Sequence, residues 1–383
     1  MKISIIVGGR FHAFNLAEQL HKKKYLKQLI TTYPKFYIKK NFNINNEKIN
    51  SLILKELVQR SFLNKIYNFN DYLSEYFDRS AANLLDFDGL DILIGWSSFS
   101  YNAFLRAKNK KCIKILERGS THIEFQNDIM NEEFKFQNIK PKPISKYIID
   151  KEKKEYELAD YIMVPTDFVK QTFIDKGFKN EKIIKNPYGV NLEEFKNIGF
   201  KKKKLDKFRI IYVGTVSIRK GILYLLEVFN DLEFLDIELL IVGNIEDDLV
   251  KKLNKYYSNK NIIFKKSVKQ SDLKNFYNIS SVFVTCSVEE GLSMVQLQAM
   301  SCGLPVISNI NAGGQEIITD GVEGFIIPIR DKITLKKKII YLYNNQNVCL
   351  QMGNNAKKKI INNYSWDAYG AKAISIYQDL LSK

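Results

Sequence analysis

The stretch SVFVTCSVEEGLSMVQLQAMSCGLPVISN, residues 281–309, holds two short apolar runs separated by a helical pattern. The first run ends near Ser287, and the second begins after Gly303. Between them Ser293 and Gln296 stand at the S-x-x-Q spacing of a capping box, whose side chains satisfy the first free N–H groups of a helix. Gly303 suits the left-handed residue that follows such a helix, and Pro305 stops it from continuing. Strand, helix, strand is the repeating unit of a parallel sheet, because a parallel neighbour is reached only through a crossover. A run that is apolar throughout, not alternating, marks a strand covered on both faces.

The unit recurs along the chain. ISIIV, LKQLITTY, DILIGW, CIKILE and DYIMVP read as buried strands in the first half. FRIIYVG, IELLIVG, NIIFKKSV, SVFVTCS, LPVISN and EGFIIP do so in the second. The pattern restarts after residue 200, past the basic stretch NIGFKKKKLDKF, which suits an exposed linker. At 383 residues the chain exceeds one ordinary core. The expected architecture is α/β: two doubly wound, Rossmann-like domains, residues 1–200 and 201–365, facing each other across a cleft. NYSWDAYGAKAISIYQDLL reads as a helix with Trp366 as a packing anchor, and residues 366–383 are expected to join the first domain. Ligands of such sheets sit at the carboxyl ends of strands, so the strand-to-helix loops carry the chemistry.

Composition narrows the classes. Apolar content of 45% with 26% charged residues excludes extensive disorder. The net charge of +17 is shared between both halves and comes from 51 lysines against eight arginines. Arginine supplies the bidentate forks of base and phosphate recognition, so this bias argues against sequence-specific nucleic-acid binding. What remains is a compositional habit of the source or attraction to anionic membranes or substrates. Cys112, Cys286, Cys302 and Cys349 form no metal or redox spacing and read as buried thiols in a reducing compartment. The apolar run before Gly8 is too short for a signal peptide, and no window approaches a membrane span. A cytoplasmic protein, at most peripheral at the inner membrane face, is expected.

Four loops are candidates. After ISIIV, Gly8 and Gly9 either let a ligand approach the backbone or simply make a tight turn; the dinucleotide fingerprint is absent. His12 and His21 read as structural or solvated. In RGSTHIEFQ, His122 follows a strand end and can hydrogen-bond near neutral pH. In VGTVSIRKG, Arg219 and Lys220 precede Gly221, a cationic loop suited to a diphosphate, though not a Walker A loop. In the opening stretch Glu290 precedes a helix whose free N–H groups, at about Ser293 to Val295, can take phosphate oxygens. A carboxylate sits poorly beside phosphate, so Glu290 is expected to face hydroxyls, with Gln298 reaching a second set. Phosphates flanked by two sets of hydroxyls describe a nucleotide-sugar. Glu289 reads as a bystander. A further loop, NAGGQEIITDGVEGFIIP, places Gly313 and Gly314 for a close ligand approach or merely for tight turns.

These pieces together resemble the GT-B glycosyltransferases, in particular the retaining family 4, the glycosyl transferases group 1. The resemblance rests on LADYIMVPTDFVKQTF, KIIKNPYGVNLEEF, VGTVSIRKG, EEGLSMVQLQAMSCGLPVISN, AGGQEII and DGVEGFIIP, in that order. RGSTHIEFQNDIMNEEF is similar to a segment of some members. It implies that the family's E-x7-E motif falls on Glu290 and Gln298, with Glu290 bonding hydroxyls of the donor hexose. Lys220, with Arg219 beside it, takes the place of the basic residues at the donor phosphates, and His122 that of a histidine or acid near the anomeric centre. Glu290, His122 and Lys220 are thus the expected catalytic residues. The donor is expected to touch Gly8, Gly9, Arg219, Lys220, Glu290, Gly291, Leu292, Ser293, Met294, Val295 and Gln298. Gln298 departs from the family's glutamate but can accept a hydroxyl proton through its carbonyl oxygen. The arginine of the family's VGR is Thr215 here, leaving Arg219 and Lys220 to supply the phosphate charge.

The implied function is transfer of a hexose-type sugar from a nucleotide-diphosphate donor to a hydroxyl of a glycan or lipid-linked glycan, with retention, in polysaccharide or glycoconjugate biosynthesis. The leaving phosphate takes the acceptor's proton, and no metal or other cofactor is expected. Two other readings stand beside it. One is another GT-B chemistry, such as a nucleotide-sugar epimerase or phosphorylase. The other is a non-catalytic basic protein that binds membranes or nucleic acid.

Overall fold

Thirteen strands in two parallel sheets form the frame of the described residues, 1–59, 61, 69–197 and 207–383 of a computed structural model. The first sheet contains β1 (Ile3–Val7), β2 (Leu26–Thr31), β3 (Ile49–Ser51), β4 (Ile92–Trp96), β5 (Ile113–Glu117), β6 (Tyr161–Val164) and β7 (Ile183–Lys185), in the order β3-β2-β1-β4-β5-β6-β7. The second contains β8 (Phe208–Val213), β9 (Ile237–Val242), β10 (Ile262–Lys265), β11 (Val282–Val284), β12 (Val306–Asn309) and β13 (Gly324–Ile327), in the order β10-β9-β8-β11-β12-β13. Every pairing is parallel, so helices must cover both faces. The inner strands β1, β4 and β9 are buried at every residue, which is why they read as mainly apolar runs, interrupted only by Ser4, Gly95 and Glu238. These are two doubly wound, Rossmann-like sheets.

The basic linker read from NIGFKKKKLDKF falls mostly at residues 198–206, outside the described residues. The helix Trp366–Leu381 returns to the first sheet and lies along the helix Ala13–Lys22. Gly370 makes that approach possible, since a Cβ there would meet the Gln19 side chain at 2.5 Å. Gln19 Nε2 donates to Asp367 at 2.9 Å beside the contact. Trp366 packs edge-on against Tyr369 and also borders a cavity between the domains. All four cysteines are buried free thiols. No helix among the described residues is long and apolar enough to cross a membrane.

Candidate active site

The carboxyl ends of both sheets open on the interdomain cleft, which holds two neighbouring cavities. One, of about 680 Å³, is walled by Trp96, Ser97 and Phe99 from the first domain and by Gly214, Thr215, Arg219, Lys220 and Glu290 from the second. The other, of about 990 Å³, is bordered by Gln298, Lys269, Asn191 and Trp366. Phe11 and Met294 border both.

The opening stretch builds the second domain's wall. Its helix, Met294–Ser301, ends as its residues dictate: Gly303 has φ +83°, its N–H bonds Met300 O at 2.9 Å, and Leu304 N bonds Ala299 O at 3.1 Å. The start differs from the expected capping box. Ser293 makes no side-chain cap, and Gln296, fully buried, turns its Nε2 to the Ala312 carbonyl at 2.7 Å. That carbonyl lies within hydrogen-bond reach and competes successfully for the amide. The Met294 and Val295 N–H groups take no protein acceptor among the described residues, and both residues line the smaller cavity. The Gly313–Gly314 loop supports this wall: Asn311 O accepts from Glu290 N at 2.8 Å, and Ala312 O from Ser293 N at 3.2 Å. A Cβ at Gly313 would meet Gly291 O at 2.5 Å.

Glu290 and Lys220 form an ion pair, with Ser287 Oγ donating to the other carboxylate oxygen at 2.8 Å. Burial raises the Glu290 pKa, but Lys220 and Arg219 outweigh it and hold the carboxyl below its usual range. Arg219 spends its Nε on Glu289, at 2.9 Å to Oε2, while neither Nη takes a partner among the described residues. Glu289 is no bystander. Fully buried, it also accepts from Thr121 N at 3.0 Å, Thr121 Oγ1 at 2.8 Å and Gln126 Nε2 at 3.1 Å, all in the first domain.

Gln298 borders the larger cavity with its carbonyl oxygen taken: Tyr277 Oη donates to it at 3.1 Å. That oxygen keeps a second lone pair, and Nε2 has no partner among the described residues, so the amide can still accept from or donate to a hydroxyl in the cavity. Gly8 and Gly9 do not border either cavity. Gly8 makes room for a ring instead, as a Cβ there would meet Phe99 at 2.3 Å.

The two histidines exchange places. His122 is buried, caps the helix Ile123–Phe136 by accepting from Glu124 N at 3.2 Å, and packs against Tyr156, Phe173 and Phe178. It borders neither cavity, so the structure does not bring it together with the other expected site residues. Burial pushes its pKa down to about 4. The fold therefore favours neutral imidazole, and the stability it contributes is present above the unfolded value near 6.5 and is lost as pH falls toward 4. Between pH 7 and 5 this loss is about 2 kcal/mol. His122→Asn retains a capping acceptor without titrating, so denaturant unfolding at the two pH values should show a correspondingly smaller loss for the variant. An equal loss would contradict the assignment.

His12, read as structural, lines the smaller cavity. Its Nε2 meets Glu117 Oε2 at 3.1 Å, both residues being nine-tenths buried, while Nδ1 has no partner among the described residues. Arg118 lines the same wall, ion-paired to Glu152 at 2.8 Å. The loop between them and the cleft, Ser97 to Ser100, hangs from Glu155, which accepts from Ser98 N and Ser100 N at 2.7 Å and from Tyr101 N at 3.0 Å. Sequence reasoning missed Glu155, Glu289 and the Glu117 partner of His12. Only the two adjacent acids at 289–290 carried a visible signal.

Residues 194–359 match the family model of the glycosyl transferases group 1. An uncharacterized glycosyltransferase of Methanocaldococcus jannaschii, MJ1069, is 29% identical over 90% of this chain and 87% of its own. The capsular polysaccharide biosynthesis glycosyltransferase CapM of Staphylococcus aureus is 29% identical over 46% of this chain and 48% of its own. Among solved structures, sucrose-phosphate synthase from Thermosynechococcus elongatus superposes with a TM-score of 0.76 at 18% identity, over 100% of this chain and 99% of its own. HepE of Anabaena, in complex with UDP-glucose, gives 0.71 at 14% identity, over 99% and 100%. Those two likenesses establish a shared fold.

Proposed function

We propose that this GT-B chain, whose residues 194–359 match the glycosyl transferases group 1, is a glycosyltransferase that moves a hexose-type sugar from a nucleotide-diphosphate sugar to a hydroxyl of a glycan or lipid-linked glycan, with retention of configuration, in cell-surface polysaccharide or glycoconjugate synthesis. One observation carries the reading: unpaired Met294 and Val295 N–H groups, two cations and an ionised carboxylate face one cavity. The helix N-terminus with Arg219 and Lys220 suits a diphosphate, and Glu290 suits sugar hydroxyls. Lys220 is held by Glu290 in this arrangement, so it reaches a diphosphate only by exchanging one anion for another. With these groups offsetting the leaving charge, turnover is expected to survive EDTA. The relative that acts in capsule synthesis and the UDP-glucose complex of a structural neighbour support the same class of donor and product.

The first domain leaves Phe36, Leu57 and Tyr72 exposed, with Lys35 and Lys39 flanking Phe36 in the sequence, features that support a peripheral contact with the anionic cytoplasmic face of a membrane. Thermal-shift screening against UDP-, GDP-, ADP- and dTDP-sugars, followed by NMR of the product's anomeric configuration, tests the proposal. No shift with any donor, or an inverted product, would overturn the corresponding part.

Gln298→Glu replaces the neutral amide by a charged acceptor, while Tyr277, whose pKa burial raises, keeps its proton and its bond. A charge-assisted bond to a ribose hydroxyl is stronger by about 1 kcal/mol. The variant should therefore bind the cognate nucleotide a few-fold more tightly by calorimetry, and weaker binding would place the ribose elsewhere.

A further inference from the structure

We propose that Glu289 is a positioning residue that couples closure of the two domains to the aim of Arg219, so that donor binding and closure reinforce each other. The proposal rests on the donor reading above and names a control built into it.

Glu289 stands on the second domain's loop, yet three of its four side-chain bonds come from the first domain, from Thr121 N, Thr121 Oγ1 and Gln126 Nε2. The fourth fixes Arg219 Nε, and the guanidinium, whose Nη groups take no partner among the described residues, belongs to a side chain that lines the cavity. The first-domain donors are themselves held in place: Arg118 Nε bonds Thr121 O at 2.9 Å, and Arg118 Nη2 bonds Gln126 Oε1 at 2.7 Å. Closure is tight at this point. A Cβ on Gly291 would meet Gly119 O at 2.0 Å, and Thr166 Oγ1 reaches Gly291 O at 3.2 Å.

Separating the domains strips the buried carboxylate of three donors and leaves it with Arg219 alone. Glu289 then becomes solvated, and the guanidinium loses the rigid anchor that aims it. A ligand that favours the aimed guanidinium must favour the closed state, and by linkage the closed state must favour that ligand.

Thr121 and Gln126 border neither cavity, so they report the coupling without touching the donor. Calorimetric titration with UDP, GDP, ADP and dTDP identifies the nucleotide that binds the wild type. Gln126→Met and Thr121→Val should each weaken that nucleotide about tenfold, and Gln126→Met should add nothing in an Arg219→Met background. A purely structural clasp would lower the melting temperature and leave affinity unchanged. Small-angle scattering without ligand supplies the second arm: Glu289→Gln should have a larger radius of gyration than the wild type. Unchanged affinity, additive losses or an unchanged radius would each overturn the proposal. If no nucleotide binds the wild type, the donor reading fails, and the ligand-free scattering still decides whether Glu289 holds the domains together.

Discussion

Glu290→Ala is expected to lower sugar transfer by about 10²–10³-fold while nucleotide affinity stays level or rises. The two effects separate because Glu290 holds Lys220 before any donor arrives. Removing the carboxylate frees Lys220 for the diphosphate, which strengthens ground-state binding, but it removes the group proposed to hold the hexose. Glu290→Gln keeps the shape and the Ser287 bond, so it should retain the fold and lose most of the rate. Steady-state kinetics with calorimetric nucleotide titration checks both. Turnover near that of the wild type would remove Glu290 from the chemistry.

Glu155→Ala is expected to cost about 3–5 kcal/mol of stability and to disorder the first domain's wall of the cleft. Its carboxylate accepts three backbone N–H groups, from Ser98, Ser100 and Tyr101, and each such group left unpaired in a buried site costs about 1–3 kcal/mol. Ser98 adds strain, since it holds φ +73° without being glycine. The same loop presents Ser97, Ser98 and Phe99 to the cavity, and Phe99 also packs on Gly8. Glu155→Gln keeps one carbonyl oxygen but sets an NH₂ against a donor, so its loss should be intermediate. Chemical denaturation ranks the three proteins. An alanine variant within 1 kcal/mol of wild type would show that the loop holds itself.

The fold was legible where burial is complete. β1, β4, β8 and β9 lie inside two-faced sheets where apolar residues predominate, so runs such as IELLIV declare themselves even with Glu238 inside, which is paired to Arg209 of β8. The edge strands β3 and β7, three residues each and only partly buried, left no run to see. The site was legible where one loop carries its own chemistry, as in Arg219–Lys220 and Glu290–Val295, which the cleft brings together. It was illegible where a partner comes from far along the chain. His12 meets Glu117 from 105 positions away, and nothing near either residue announces it. Glu289 and Glu290 differ in direction: on a loop that bends at Val288 and Glu289, one side chain goes to the other domain and the next to the cavity. Which acid faced which way depended on Thr121 and Gln126, more than 160 residues upstream.

The return of residues 366–381 to the first sheet sets an order of events during synthesis. Tyr369, Ala373, Tyr377 and Leu380 bury themselves in the same apolar cluster as Phe14, Leu16 and Leu20. A ribosome must therefore finish the entire second domain before the first can cover its own helix Ala13–Lys22. Until then the nascent first domain exposes an apolar stripe, and its completion waits on the domain that was begun later.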